Sequence, residues 1–430
     1  MIVLRLATHS LWHRRLIMGL ALVSLALSVA LLVGVERIRE GVRASFSGTI
    51  SKTDLIVGAP AGPLQLLLYS VFNIGSGIGQ ISYDSFTYFA SHEDVEWAVP
   101  FSLGDSYRGS RVVGTTTGFF EHYRHHGDES LRFAEGGPFE QIIDVVLGAE
   151  VARRNRLVLG SGIKLSHGVS DGNEAIPGME HDHITFVVAG ILEPTATPID
   201  RSLYVSLEAI EAIHVGWEDG APPAGDQAER GEQAQESEGL AEGQFEPSVV
   251  SGFFLKAKSR LQVLSLQREI AENPEEPLMA IIPGVALSEL WRNFALFENA
   301  LLLISFFVMG VALTSMFVGI YSSLQVRRRE MAILRSLGAG FAQVAWLFVL
   351  ESWFVCLAAA VLGMGGVYLI IGFGRGVLQS YFGIYITPTP PGWTEGLALI
   401  ALFALGTVVG FIPAIKAYRT ALSDGLAVKL

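Results

Sequence analysis

Four long runs of apolar residues dominate the two ends of the chain. They cover residues 16–35, 299–321, 341–373 and 397–414, and the third run contains one charged side chain, Glu351. A helix of about 20 apolar residues spans the roughly 30 Å hydrocarbon core of a bilayer, so each run predicts a transmembrane α-helix. The third run is too long for one perpendicular crossing, and we expect its helix to tilt or to extend beyond the bilayer.

The first apolar run has an alternative interpretation as a cleaved signal peptide, because Arg14 and Arg15 form a basic segment in front of it. The apolar part of a signal peptide is about 7–15 residues long and precedes a cleavage site of small residues. This run is longer, and no clear site of that kind follows it. We therefore expect a retained span.

Between the first and second apolar runs, short apolar segments alternate with turn residues. Period-two patterning predicts strands in TDLIVGAP, VEWAVPF, RVVGTT, DVVLGAE, ITFVVAGIL, SLYVSL and VVSGFFLKAK. Helical spacing predicts helices in PLQLLLYSVFNIG, GFFEHYRHH, AEVARRNRLV and residues 260–273 and 285–293. The mixture predicts a large mixed α/β domain over residues 36–293, which begins with a charged stalk helix.

One segment of this domain has a different composition. Residues 216–247 are rich in Gly, Ala, Gln and Glu and contain almost no large apolar side chains. Such a segment buries too little apolar surface to offset the entropy lost on ordering, so we predict a disordered acidic insertion.

Basic residues predict the orientation of the spans. Arginines and lysines cluster before the first apolar run, between the second and third, and after the fourth. Under the positive-inside rule the termini, residues 1–15 and 415–430, and the segment 322–340 lie in the cytoplasm. The domain at 36–293 and the loop at 374–396 then lie outside it.

The net charge gives no sign of a nucleic-acid partner, and the cysteine content excludes disulfide bonds as a source of stability in the outer domain. The net charge is −12, and residues 217–247 hold nine acidic residues and one arginine, so nothing indicates binding of nucleic acid. The single cysteine, Cys356, lies within the third apolar run. The outer domain has no cysteine and therefore depends on its own core for stability.

The segment RRREMAILRSLGAG, residues 327–340, lies between the second and third apolar runs. On a helix it presents one narrow apolar stripe with charged flanks and two glycines at its end. The stripe is Met331, Leu334 and Leu337; the flanks are Arg327, Arg328, Glu330 and Arg335; the terminating glycines are Gly338 and Gly340. Such a helix is suited to docking in a groove on another protein, and the alternative is a basic anchor on the membrane surface.

RRREMAILRSLGA resembles the coupling helix of the FtsX/MacB family of ABC transporter permeases. The arrangement of one span, a large outer domain and three clustered spans is similar to that family as well. So are RVVGTTTGFF, VVLGAEVARR, FVVAGIL with SLYVSL, and the C-terminal GFIPAIKAYRTALSDGL. The acidic insertion has no counterpart in the family arrangement.

The resemblance implies a multi-pass protein of the bacterial inner membrane whose outer domain is a MacB-like periplasmic core domain. It also implies a mechanotransmission transporter, in which two copies of a cytoplasmic ABC ATPase bind ATP and magnesium and move the coupling helices. Rigid spans and stalks would carry that motion to the periplasm for export or release of an amphiphile, a peptide or a lipoprotein. A second permease copy or a paralogue would complete the complex, and a periplasmic or lipoprotein partner is a further expectation.

The chain lacks the sequence signatures of ATP chemistry. No G-x-x-x-x-G-K-[ST] motif is present, and the glycine clusters GSGIGQ and LGSGIKLS lack its ending and fit turns better. We therefore expect this subunit to bind no nucleotide and to depend on a separate ATPase chain. No nucleophile–base–acid pattern stands out, so we do not expect an enzyme.

Glu351 is a candidate functional residue because a carboxylate inside a membrane span is costly to bury. The alternative is a position near the cytoplasmic interface, where Glu351 pairs with a basic residue of the coupling segment.

Two groups of histidines in the outer domain suggest a metal site. They are His122, His125 and His126 in EHYRHH, and His181 and His183 in EHDHIT. On a helix, His122 and His126 would share a face at a spacing that can chelate zinc. The alternative is a set of solvated surface histidines. A zinc-linked ABC system is therefore a second hypothesis, and an FtsX-like regulator of an extracytoplasmic enzyme is a third.

Overall fold

The computed structural model describes residues 15–75, 77, 79–167, 184–214, 245–326, 331, 333, 336, 338–382 and 390–419. The chain divides into two compact units. The helical unit comprises residues 1–42, 294–379 and 385–430, and the mixed unit comprises residues 43–293 and 380–384. Most of the predicted acidic insertion lies outside the described residues.

Four long helices carry the apolar runs. They are α1 (Arg15–Thr49), α8 (Pro283–Val326), α9 (Phe341–Phe382) and α10 (Trp393–Arg419). Each contains a stretch long and apolar enough to cross a membrane, as predicted. The helix predicted over residues 285–293 and the second span form one continuous helix, because the intervening FALFE contains no helix breaker.

The shorter elements belong to the mixed unit. The helices are α2 (Pro63–Phe72), α3 (Tyr83–Ala90), α4 (Gly118–His122), α5 (Ala149–Asn155), α6 (Leu207–His214) and α7 (Val263–Ala271), with a 3₁₀ helix at Pro198–Arg201. The strands are β1 (Leu55–Gly58), β2 (Ile81–Ser82), β3 (Val95–Tyr107), β4 (Ser110–Thr115), β5 (Arg124–His125), β6 (Glu129–Ser130), β7 (Phe133–Gly136), β8 (Asp144–Leu147), β9 (Gly162–Ile163), β10 (Ser166–His167), β11 (Phe186–Leu192), β12 (Ser202–Ser206), β13 (Val249–Val250), β14 (Gly252–Ala257) and β15 (Met279–Ile281).

Eleven of these strands form one mixed sheet within the described part of the chain. Its order is β15-β1-β14-β3-β4-β12-β8-β11-β7, with β10 added to β3 and β9 added to β11. The pairs β4–β12 and β8–β11 are parallel, and the other pairs in the sheet are antiparallel. Every segment predicted as a strand contributes to this sheet, which confirms the predicted mixed α/β domain.

Both faces of the sheet are buried, which explains the continuous apolar run GFFL in β14. Successive side chains on a strand point to opposite faces. Phe253 packs with Phe89 and Leu255 in one core, and Phe254 packs with Phe101 and Phe119 in another. The central strands are therefore covered on both sides, as the long apolar segments require.

Candidate functional site

A buried ion pair joins three helices of the helical unit. Arg37 of α1 donates from Nε to Glu395 Oε1 at 2.6 Å and from Nη2 to Glu395 Oε2 at 2.8 Å. The same Nη2 donates to the hydroxyl of Tyr368 on α9 at 2.5 Å and to the carbonyl of Pro390 at 3.0 Å. The side chains of Arg37 and Glu395 are only 4% and 1% exposed. The two-point geometry matches the planar guanidinium to the carboxylate, which makes this a strong and directional contact.

Glu395 also organises the start of α10. It lies in the first turn of that helix, and its Oε2 accepts hydrogen bonds from the backbone N–H of Gly392 at 3.1 Å and from the Tyr368 hydroxyl at 3.2 Å. A carboxylate near a helix N-terminus satisfies a free N–H and interacts favourably with the helix dipole. One side chain therefore caps α10 and binds α1.

A second set of polar contacts on α1 reaches α8 and α10. Glu36 accepts hydrogen bonds from Arg39 at 2.7 Å and from the hydroxyl of Thr394 at 2.9 Å. Arg39 in turn lies 3.7 Å from Glu298 of α8. We call Arg37, Tyr368, Glu395, Glu36 and Arg39 the outer cluster. Its members lie on α1, α9 and α10, and the contact of Arg39 with Glu298 also joins them to α8.

The charged stalk helix predicted from the sequence carries Arg37, Arg39 and Glu36, but Tyr368 and Glu395 were not predicted as their partners. A lone glutamate in the first turn of an apolar helix was the available signal, since a buried carboxylate requires a cation.

The predicted coupling segment is described at a few positions. Met331, Ile333 and Ser336 are helical, and Gly338 has a left-handed φ of 96° at the following turn. That conformation is the one for which glycine is favoured at a helix end. Arg327, Arg328, Glu330, Leu334, Arg335 and Leu337 lie outside the described residues, so the full apolar stripe stays a prediction.

Met331 and Ile333 have different environments. Met331 is 4% exposed and thus already packs within this chain, whereas Ile333 is 47% exposed. Met331 is therefore covered by this chain, whereas much of Ile333 is open to solvent.

Aromatic and cationic contacts join the ends of three helices next to this segment. Lys416 of α10 bonds to the hydroxyl of Tyr321 on α8, and its Nζ lies 4.6 Å from the centre of that ring. Phe341, the first residue of α9, packs at ring distances of 5.8 Å from Phe411 and 5.4 Å from Tyr418, both on α10. We call these five residues the inner cluster. It links the helices that flank the coupling segment.

Glu351 lies fully buried on α9 within the helical unit. Its neighbour Ser352 is also buried and faces a close contact with α10, since a Cβ on Gly410 would lie 2.6 Å from Ser352 Oγ. The burial fits the candidate role of an intramembrane carboxylate. The predicted pairing of Glu351 with the coupling segment stays a prediction.

The prediction that His122 and His126 share one face of a helix was wrong. Helix α4 ends at His122, the next residue is extended, and His126 has a φ of 44° in front of Gly127. The chain turns here because Tyr123 is buried and donates its hydroxyl to the carbonyl of Thr49 at 2.6 Å.

The three candidate histidines that the structure describes do not form one site, although the rings of His125 and His126 lie 5.2 Å apart. His122 stacks on Trp97 at a ring distance of 5.2 Å, and His126 Nε2 lies 2.9 Å from the carbonyl of Thr195. His125 is buried, and this burial lowers its pKa, as does the neighbouring His126. No group of three metal-ligating side chains occurs among the described residues. His181 and His183 lie outside those residues, so zinc binding stays an untested prediction.

Comparisons with known proteins give the family. Residues 18–271 match the MacB-like periplasmic core domain, and residues 302–422 match the FtsX-like permease C-terminal domain. The chain is 30% identical over 143 residues to the macrolide export ATP-binding/permease protein MacB of Photorhabdus laumondii. That similarity covers 32% of this chain and 20% of the relative, so the chain matches about a fifth of the relative's length.

Two solved structures are also similar. The periplasmic region of MacB from Actinobacillus actinomycetemcomitans has 10% identity and a TM-score of 0.33, over 56% of this chain and 94% of that one. The extracellular domain of the noncanonic ABC-type transporter YknZ from Gram-positive bacteria has 10% identity and a TM-score of 0.29, over 53% and 98%. With the first family match covering more than half of the chain, the protein belongs to the FtsX/MacB-like family of ABC transporter permeases, multi-pass proteins of the bacterial inner membrane with a large periplasmic domain.

Proposed function

We propose that this chain is the permease subunit of a mechanotransmission ABC transporter, driven by a separate cytoplasmic ATPase that binds ATP and magnesium. The observation that carries the proposal is the coupling segment, which lies between α8 and α9 inside the FtsX-like region. Two ATPase subunits would act on two permease chains, this one and a second copy or a paralogue. The work would be export or release of an amphiphile, a peptide or a lipoprotein on the periplasmic side.

The long helices support this mechanism. Helix α1 has 35 residues and helix α8 has 44, which at 1.5 Å per residue gives lengths of about 52 and 66 Å. A bilayer core is about 30 Å thick, so each helix is far longer than a single crossing requires. Each contributes residues to both units without a break. A displacement at one end of such a helix is carried along a continuous hydrogen-bond ladder to the other.

The two clusters hold the long helices of the helical unit together, which the transmission of motion through them requires. The inner cluster connects the helices around the coupling segment, and the outer cluster connects α1 with α8, α9 and α10. A ligand shifts a two-state equilibrium only by its difference in affinity for the two states. ATP-driven closure of the ATPase pair would supply that difference at the coupling segment, and the packed helices would respond as one body.

The test is association with the ATPase. The chain is purified gently from its native host, and co-purifying proteins are identified by mass spectrometry. We expect an ABC ATPase with the nucleotide-binding motif that this chain lacks. Ile333→Asp and Leu334→Asp should then abolish co-purification, because a charge would be buried in the docking groove.

Leu261→Asp is the matched control, since Leu261 is 90% exposed in the mixed unit and should not contact a cytoplasmic partner. Met331→Asp is a less specific variant, because Met331 is buried within this chain. Recovery of the chain without any ATPase, or undiminished association of both coupling-segment variants, would refute the proposal. No observation on the described residues favours the zinc-linked system or the regulator, so neither is proposed.

A further inference from the structure

A cavity of about 290 Å³ lies in the mixed unit. It is formed by the C-terminal turns of α1, the residues that follow α2, the turn between β3 and β4, and the 3₁₀ helix with the loop before it. The volume corresponds to about ten water molecules. It is large enough for a small organic molecule and too small for a lipid with two acyl chains.

One wall of the cavity is aromatic. Phe46 of α1 stacks on Phe72 of α2 with ring centres 4.5 Å apart, and Trp291 of α8 packs edge-on to Phe46 at 5.8 Å. Ile74 also lines the cavity and is 54% exposed, so it lies at the open side. This wall offers an apolar, planar surface to a ligand.

The lining also contains basic residues. The lining includes Arg111 and Arg201 and contains no acidic residue. Arg201 donates to Glu150, outside the lining, at 2.9 Å. Arg111 donates from Nη2 to the carbonyl of Gly75 at 2.7 Å, and no carboxylate of the described residues forms an ion pair with it. A guanidinium that has no carboxylate partner among the described residues and lies beside apolar side chains favours an anion, for which its planar fork is suited.

The loop before the 3₁₀ helix contains a strained residue. Ala196, in the lining, has a left-handed φ of 56°, whereas Asn73, also in the lining, is the ordinary left-handed C-cap of α2. Ala196 is held by buried Asp200, which accepts hydrogen bonds from the backbone N–H of Ala196 and from both the N–H and the hydroxyl of Thr195, each at 2.8 Å. Strained residues of this kind persist where the surrounding structure fixes them, and they cluster at binding sites. The cavity is therefore preorganised.

We propose that this cavity binds a small anionic amphiphile, with its carboxylate or other anionic head on Arg111 and its apolar body against Phe46 and Phe72. If the proposed transport function is correct, the ligand is a transported substrate or a signal that reports its presence. Binding of the ligand to this cavity requires no ATPase.

The test uses the full chain in phosphatidylcholine nanodiscs, with 4-phenylbutyrate as the probe and equilibrium dialysis as the measurement. Empty nanodiscs correct for partition into lipid. We expect saturable binding of one probe per chain, and at least about tenfold weaker binding of the uncharged 4-phenylbutyramide, because the charge-assisted hydrogen bonds are lost.

Two pairs of variants locate the site. Arg111→Gln should weaken binding by about tenfold or more, whereas Arg153→Gln, an exposed arginine of α5, should leave it within about twofold. Ile74→Asp places a like charge at the open side and should weaken binding, whereas Ile74→Asn should not. Ile74 is exposed, so this second pair decides the question even if Arg111→Gln fails to fold.

Absence of saturable binding above empty nanodiscs, equal affinity for the amide, or unchanged affinity in both Arg111→Gln and Ile74→Asp would overturn the proposal. Because the measurement involves no ATPase, such a failure leaves the ATPase association untouched. Failure of that association would likewise leave this binding site intact.

Discussion

Replacing Glu395 by glutamine should destabilise the helical unit more than any exposed charge substitution. The change removes the negative charge from a pair whose side chains are 4% and 1% exposed, and it leaves the guanidinium of Arg37 buried. Removing one partner of a buried pair costs about 3–5 kcal/mol, because the remaining charge loses its compensation. The carboxylate of Glu40, 3.4 Å from Arg37, the hydroxyl of Tyr368 and the carbonyl of Pro390 still accept from Arg37, so we expect the lower part of that range.

A double-mutant cycle separates the pair from its surroundings. Arg37→Met combined with Glu395→Leu removes both charges and fills similar volume, so it should recover most of the stability that either single change loses. The free energy of unfolding is measured for the wild type, both single variants and the double variant. Denaturation by SDS in mixed micelles, followed by tryptophan fluorescence, gives this quantity.

The exposed pair of Arg268 and Glu272 provides the control. Its side chains are 79% and 65% exposed, so Glu272→Gln should cause no measurable loss. If Glu395→Gln were equally mild, or if the two single losses simply added in the double variant, Arg37 and Glu395 would not be coupled. The outer cluster would then not hold the helices together.

Three further predictions concern other contacts. Gly410→Val should lower the unfolding free energy by about 1–3 kcal/mol, because a Cβ there meets α9 at 2.6 Å, while Gly396→Ala on the same helix meets nothing within 4 Å and should be harmless in the same SDS titration. Burial raises the pKa of the Asp200 carboxyl in the folded protein above its ordinary value of 3.8. The stability that Asp200 contributes should therefore be fully present below pH 3.8, and it should be lost as the pH rises through the folded-state pKa. The thermal unfolding temperature of Asp200→Asn should lack this pH dependence. Gly338→Ala should strain the left-handed turn by about 1 kcal/mol and weaken ATPase association in a pull-down, whereas Gly340→Ala, which has no such φ, should not.

The hydrophobic pattern was sufficient to predict the four long helices and the main strands. Apolar runs such as residues 299–321 have one plausible role, and the GFFL run of β14 requires burial on both faces of a sheet. The family resemblance also predicted the arrangement of one span, a large outer domain and three further spans. These features depend on many residues each, so no single misjudged residue would change the result.

The parts that could not be predicted depend on contacts between distant residues. Arg37 and Glu395 are 358 positions apart, and nothing local to either residue identifies the other. The helical spacing of His122 and His126 failed for a similar reason, because burial of Tyr123 against α1 ends helix α4 after five residues. Helical periodicity describes an isolated segment, and tertiary packing overrode it here.

The location of Cys356 makes the chain well suited to measurements of motion. It is the single cysteine in the sequence, and it lies fully buried on α9, close to Gly406 of α10. A thiol-directed spin label or fluorophore should therefore react with a cysteine introduced at an exposed position and leave the native thiol unmodified. Pairs of introduced cysteines, with Cys356 left in place, would therefore carry labels that report distances between helices during ATP turnover. Such distances would measure the proposed mechanical motion directly.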